Sequence, residues 1–156
     1  MIKFFKIYLI LLLVILITGC SYKTILSKQN NDFSVEKVEL IGDKEINYII
    51  KERLINLKNQ NTKNKYYVQI ETSKIKNIIS NDSKGDPSKL EIIISSTFQI
   101  SNSEKLLIKR NIKMKNTYNN ISDKLKLEKY ESFIINDLSE RISDNLISTI
   151  ININDN

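Results

Sequence analysis

Histidine, tryptophan and alanine are missing from this 156-residue chain, cysteine and proline occur once each, and glycine only three times. Without histidine and with a single thiol, the chain cannot build a Cys/His metal centre or the usual nucleophile–base pair. No GxSxG or SxxK stands in a supporting context. Neither catalysis nor a bound metal is expected. A lone cysteine also excludes an internal disulfide. The missing alanine goes with an abundance of Ile, Lys and Asn, a drift toward few residue types. A lysine taken singly therefore says little.

What is present starts at the N-terminus. Lys3 and Lys6 precede an uninterrupted apolar run over residues 7–17. A charged start, an apolar core of this length and a small-residue boundary make the pattern of a secretory signal peptide. The run is short for a membrane-spanning helix, which wants about 20 apolar residues. It ends in Ile17-Thr18-Gly19-Cys20, which resembles a bacterial lipobox. By that resemblance residues 1–19 are a lipoprotein signal peptide. Cys20 then becomes the first mature residue, carrying an N-acyl chain and an S-diacylglycerol; no other cofactor is expected. Two or more acyl chains anchor stably, at about 0.8 kcal/mol per buried CH₂. Ser21 stands where an aspartate would commonly retain a lipoprotein in the inner membrane, so the outer membrane is expected. Loss of Lys3 and Lys6 with the leader takes the formal charge from +6 to +4.

Residues 20–32 read as a lipidated, flexible tether, and 33–156 as one periplasmic domain. FSVEKVEL (33–40) reads as a first strand, ended by Ile41-Gly42. Ile46, Ile49, Ile50, Leu54 and Leu57 have the spacing of an amphipathic helix over 44–57. After a loop at 59–65, Tyr66, Val68 and Ile70 alternate with Tyr67, Gln69 and Glu71, as in a half-buried strand. The alternation loses phase near Lys74, which predicts a bulge or the strand's end. SNDSKGDPSK (80–89) reads as a loop holding Gly85 and Pro87. Leu90, Ile92, Ile94, Phe98 and Ile100 mark a third strand. A short connection at 101–104 follows, and Leu106, Ile108, Ile112 and Met114 mark a fourth. From Ser122 a stripe of Tyr130, Ile134, Leu138, Ile142, Leu146 and Ile150 predicts a long helix lying diagonally across a twisted sheet.

The predicted order is β-α-β-β-β-α: a two-layer α+β sandwich whose four-stranded, mostly antiparallel sheet carries two helices on one face. The helix between the first two strands makes that pair parallel if they are neighbours. Glu71, Glu91, Thr97, Gln99, Lys109 and Lys113 fall on the helix-free face, which suits water or a polar protein lumen equally.

A lipobox, a tether and this element order in a chain of this length resemble the LPS-assembly lipoprotein family, LptE. The second half carries most of the resemblance: the 80–89 loop, the hairpin, a Thr117-Tyr118-Asn119 junction and the long terminal helix. The family's terminal helix is usually rich in alanine, and this one has none. The resemblance implies a non-enzymatic role as plug and assembly factor of an LptD-like outer-membrane β-barrel. It further implies contact with lipopolysaccharide on its way into the outer membrane. Wide barrels enclose a polar lumen that a small domain can fill. Lipopolysaccharide is anionic, so the resemblance implies cations on it: Lys84 and Lys89 in the loop before the third strand, and Lys109, Arg110 and Lys113 on the fourth.

Read from the residues alone, Arg110 shares parity with Ile108 and Ile112. It is either a fork held for a phosphate, or the mark of a bulge, or an apolar stem whose guanidinium reaches the sheet edge. The lysines are either anion contacts or solvated surface. Tyr66, Tyr67 and Tyr118 are either core and rim aromatics or sugar platforms. The basic hairpin is too modest for nucleic acid. A lipoprotein auxiliary of an intermembrane phospholipid transporter is the alternative role.

Overall fold

The computed structural model describes residues 33–55, 57 and 62–155. The leader, Cys20, Ser21 and the tether lie outside them. The elements are β1 (Phe33–Gly42), α1 (Lys44–Ile55), β2 (Asn64–Asn81), β3 (Pro87–Ser101), β4 (Leu106–Asn119) and α2 (Lys124–Asn154). The sheet runs β1-β2-β3-β4, with β1 parallel to β2 and the other pairs antiparallel. One apolar core, with Ile46, Ile50, Ile70, Phe98, Leu138 and Ile142 at its centre, joins both helices to the same sheet face. This is the predicted two-layer α+β order.

β1 pairs with β2 only as far as Gly42 opposite Thr72. The junction there depends on close approach. Gly42 has φ 104°, and a Cβ on it would sit 1.9 Å from the Thr72 carbonyl oxygen. The Asp43 amide donates to that same oxygen at 3.3 Å. Asp43 then caps α1, its Oδ1 accepting from the Glu45 and Ile46 amides at 3.1 Å, the usual service of an aspartate at a helix start. Below it the Thr72 hydroxyl donates to Asn47 Oδ1 at 2.8 Å, both residues being buried.

Three boundaries differ from expectation. α1 stops at Ile55, and buried Leu57 sits in a turn, its amide bonded back to Leu54 O at 3.0 Å. The apolar spacing thus marks burial one step beyond the helix. The expected break at Lys74 does not occur: β2 keeps register with β3 from Tyr67 through Ile78, and its irregularities fall at 78–81. Lys74 marks where apolar side chains change face, since Ile75 pairs with Ile93 on the helix-free side. The loop expected at 80–89 shrinks to residues 82–86, because both flanking strands run further than their apolar patterns.

α2 is capped by Asp123, whose side chain accepts from the Lys126 amide at 3.1 Å. At about 1.5 Å per residue, its 31 residues span about 46 Å. Its buried face includes Ser139 and Ser143, both fully buried. Their hydroxyls donate to Ile135 O at 2.6 Å and Ser139 O at 2.8 Å, so burial leaves neither unsatisfied. Arg53 ties the two helices together by pairing with Asp144 and, at 3.9 Å, with Glu140.

Ser96 differs from these serines. It lies on the helix-covered face between Thr72 and Ile112, and its buried hydroxyl has no partner among the described residues. An unpartnered buried hydroxyl costs about 1–3 kcal/mol. Ser96→Ala is therefore expected to raise stability by about 1 kcal/mol. A urea midpoint at or below the parent's would show that the oxygen is satisfied.

Tyr118 closes the far end of the core. Its hydroxyl donates to Glu131 Oε1 at 2.7 Å, an atom that also takes the Lys76 ammonium. Burial first, and then the Glu131 carboxylate, push the phenol well above its ordinary value of 10.0. Below pH 10 the phenol is neutral whether the chain is folded or not. Above it the unfolded chain ionises while folded Tyr118 does not, so the stability it contributes is lost as pH rises. Urea unfolding from pH 8 to 11 should show this loss, and Tyr118→Phe should lessen it while costing about 1.5 kcal/mol at pH 8.

Candidate functional site

The helix-free face is built by the odd-numbered residues of β2, β3 and β4, because side chains alternate and the register holds them in phase. Across it Gln69 meets Gln99, Glu71 meets Thr97, Ser73 meets Ser95 and Ile75 meets Ile93. On the outer side Gln99 meets Lys109, Ser95 meets Lys113 and Ile93 meets Lys115. The face is therefore polar along most of its length, but not at Ile75, which is 53 % exposed.

The five cations implied by the resemblance do not converge. Lys109 and Lys113 share the helix-free face of β4. Lys89 is on the same face at the other end of the sheet, opposite Asn119. Lys84 sits in the 82–86 turn, where the Lys84 and Asp86 amides donate to Asp82 Oδ1 at 2.8 and 2.9 Å. That turn holds two carboxylates to one ammonium. Gly85 supplies its φ of 90° in open space.

Arg110 lies on the opposite face, across from Phe98, and donates from Nη1 to Thr149 Oγ1 on α2 at 3.3 Å. The residue as a whole is exposed. Tyr66 and Tyr118 are core residues.

Two groups escaped the sequence reading. Glu91 is only 7 % exposed, yet stays paired with Lys115 at 3.2 Å. Only the β3–β4 register, which sets Glu91 opposite Thr117 and Lys115 two residues away on the same face, reveals that partnership. At the other end Glu36 is the extra residue of a bulge in β1, and accepts from Lys65 Nζ at 2.6 Å and Tyr67 OH at 3.0 Å. Lys65 first, then Tyr67, hold its carboxyl below the ordinary range.

Beside this network lies an open depression of about 340 Å³ bordered by Lys37, Glu39, Tyr67, Gln69, Gln99 and Leu106. A second, of about 360 Å³, lies at the same end around Lys63, Asn64, Tyr66, Asn102, Leu107 and Ile153. Among the described residues no group of three or more Asp, Glu, His or Cys could hold a metal ion, and no helix is long and apolar enough to cross a membrane.

A two-layer α+β domain with one uncovered, mostly polar sheet face is the class this geometry defines, and solved structures share its fold. The chain superposes on the crystal structure of rare lipoprotein B from Shewanella oneidensis with TM-score 0.56 and 18 % identity, covering 76 % of this chain and 98 % of that one. A minor lipoprotein from Acinetobacter baumannii gives 0.52 and 15 %, with 75 % and 94 % covered. The solution structure of an uncharacterized lipoprotein B from Nitrosomonas europaea gives 0.51 and 12 %, with 78 % and 88 % covered. No protein-family profile and no curated protein sequence matches the chain. The likeness is one of fold.

Proposed function

We propose that this chain is an outer-membrane lipoprotein, anchored through acylated Cys20, that plugs and assists assembly of the β-barrel through which lipopolysaccharide enters the outer membrane. The observation that carries this reading is the fold shared with rare lipoprotein B over nearly that protein's whole length. The lipobox ahead of the domain supports it independently. A mostly polar sheet face beside polar helix surfaces suits a barrel lumen, which is itself polar. Lys89, Lys109 and Lys113, on that face, are the cations offered to an anionic glycolipid in transit; Lys84 lies apart in the 82–86 turn, and Arg110 bonds Thr149 on the other face.

The test is a mild-detergent pull-down of the tagged full chain from native outer membranes, with mass spectrometry of what accompanies it. A stoichiometric barrel several times its size is the expected result. Recovery of the chain alone, or with the periplasmic subunits of an inner-membrane transporter, would sink the barrel reading and favour a phospholipid-transport auxiliary. Cys20→Ala should leave the outer-membrane fraction; a variant still fractionating there contradicts the anchor.

A further inference from the structure

Three stretches of sheet border have no strand beside them among the described residues, and they are not alike. The outer side of β1 is interrupted by the Glu36 bulge. The half of β2 beyond Thr72 is irregular at 78–81, and its cations are engaged, Lys74 by Asp43 and Glu45, Lys76 by Glu131. Bulges and pinned charges are common ways of closing a sheet border to strangers. β4 has no such interruption: it keeps register with β3 from Ile108 to Asn119.

The backbone orientation of that border follows from two bonds. The Thr72 carbonyl faces β1, accepting from Asp43, and the Asn120 amide faces β3, donating to Ser88 O at 2.9 Å. In a regular antiparallel ladder successive residues alternate sides. The N–H and C=O groups of β4 that face no strand among the described residues are therefore those of Lys109, Asn111, Lys113, Lys115, Thr117 and Asn119. Their side chains all stand on the helix-free face.

Charge then says what fits. β4 carries Lys109, Arg110, Lys113 and Lys115 and no acidic residue. Lys115 is used by Glu91, while Lys109 and Lys113 form no ion pair among the described residues. They are four positions apart, about 13 Å along the strand, too far for one phosphate to bridge. They match carboxylates repeated along an adjacent strand, whose side chains stand about 5 Å away in each cross-strand pair.

A second copy fits poorly over the basic stretch of β4. In a two-fold antiparallel pairing that continues the sheet, every register centred on a residue from Lys109 to Lys115 opposes two cations. Centring on Asn111 sets Lys109 against Lys113, centring on Ile112 sets Lys109 against Lys115, and centring on Arg110 sets it against itself. Like charges directly opposed are unfavourable.

We propose that the outer border of β4 accepts an acidic, extended segment of a partner protein as a fifth strand, its carboxylates meeting Lys109 and Lys113. A row of alternating donors and acceptors asks for another peptide backbone, the mode by which sheets take up strands from other proteins. The inference stands on this border alone, whichever protein supplies the segment.

The test uses the full chain in mild detergent and a blocked ten-residue peptide alternating Glu with Thr and Val. Binding is followed by fluorescence anisotropy and by amide hydrogen exchange. The expected result is at least tenfold slower exchange at residues 109, 111, 113, 115 and 117, with the intervening amides unchanged. Methylating the peptide nitrogens along both edges, which keeps every charge, should weaken binding at least tenfold. The double variant Lys109→Glu, Lys113→Glu should transfer the preference to the same peptide carrying Lys for Glu. Equal binding of the methylated peptide overturns the proposal, because charge alone would then explain the affinity. It is overturned also if lipopolysaccharide perturbs Lys109 and Lys113 while the peptide leaves the amides untouched. Self-association abolished by Asn111→Pro, without peptide binding, overturns it in favour of a second copy.

Discussion

Gly42→Ala is expected to cost about 4 kcal/mol, a large share of the 5–15 kcal/mol that holds most domains folded. Two effects add. A φ of 104° is strained for any residue with a Cβ, at about 1–3 kcal/mol. The Cβ would also lie 1.9 Å from a backbone oxygen, which cannot swing away as a side chain could. Relief requires β1 to lift from β2 where Asp43 donates to Thr72 O, and that movement pulls on the cap of α1. Calorimetry should show the melting temperature falling by about 15 °C for a domain of this size. Gly85→Ala, with a similar φ but nothing within 4 Å of the added carbon, should cost about 1 kcal/mol. If both variants melt alike, backbone strain alone governs Gly42 and the close contact is unimportant.

Phe98→Ala is the second large effect. Phe98 is fully buried on β3, opposite Ile70 on one side and Arg110 on the other. Its removal leaves a cavity beneath the helices and should cost about 4 kcal/mol. Phe98→Leu, which refills most of the space, should cost less than about 1.5 kcal/mol. Urea unfolding separates the two, and a Leu variant as unstable as the Ala variant would mean that the ring's shape matters more than its volume. In Phe98→Ala the Arg110 stem also loses its cross-strand neighbour, so the Arg110–Thr149 bond should weaken along with the core.

Much of the architecture is legible in one dimension because the core positions repeat with the period of their element. Val68, Ile70, Ile92, Ile94 and Ile100 alternate, while Ile134, Leu138, Ile142, Leu146 and Ile150 recur every fourth residue. The failures share a cause. Ile75 is apolar, and its parity suggests a broken strand; the strand instead continues, and the apolar side chain crosses to the other face to meet Ile93. Periodicity reports which residues are apolar, not which face is covered. The cations are a stronger case. Lys109, Arg110 and Lys113 are close in sequence, yet alternation puts Arg110 behind the sheet and Thr149 of α2 takes it up. The Glu91–Lys115 pair and the Thr72–Asn47 bond join residues 24 and 25 positions apart; strand register brings the first together, and the packing of α1 on β2 the second.

The short reach of β1 also has a consequence for how the domain breathes. Beyond Thr72 the sheet is three strands wide, and Lys76 and Tyr118 are secured there chiefly by one carboxylate, Glu131. Ile78 and Ile79 stay exposed on the same stretch. Domains open in contiguous units whose free energies follow local burial. The half that includes β1 and α1 is expected to open slowly, and the strand ends flanking the 82–86 turn fast. The end at Phe33 is then the firm one, and the end at that turn, furthest from it, can change shape without unfolding the rest.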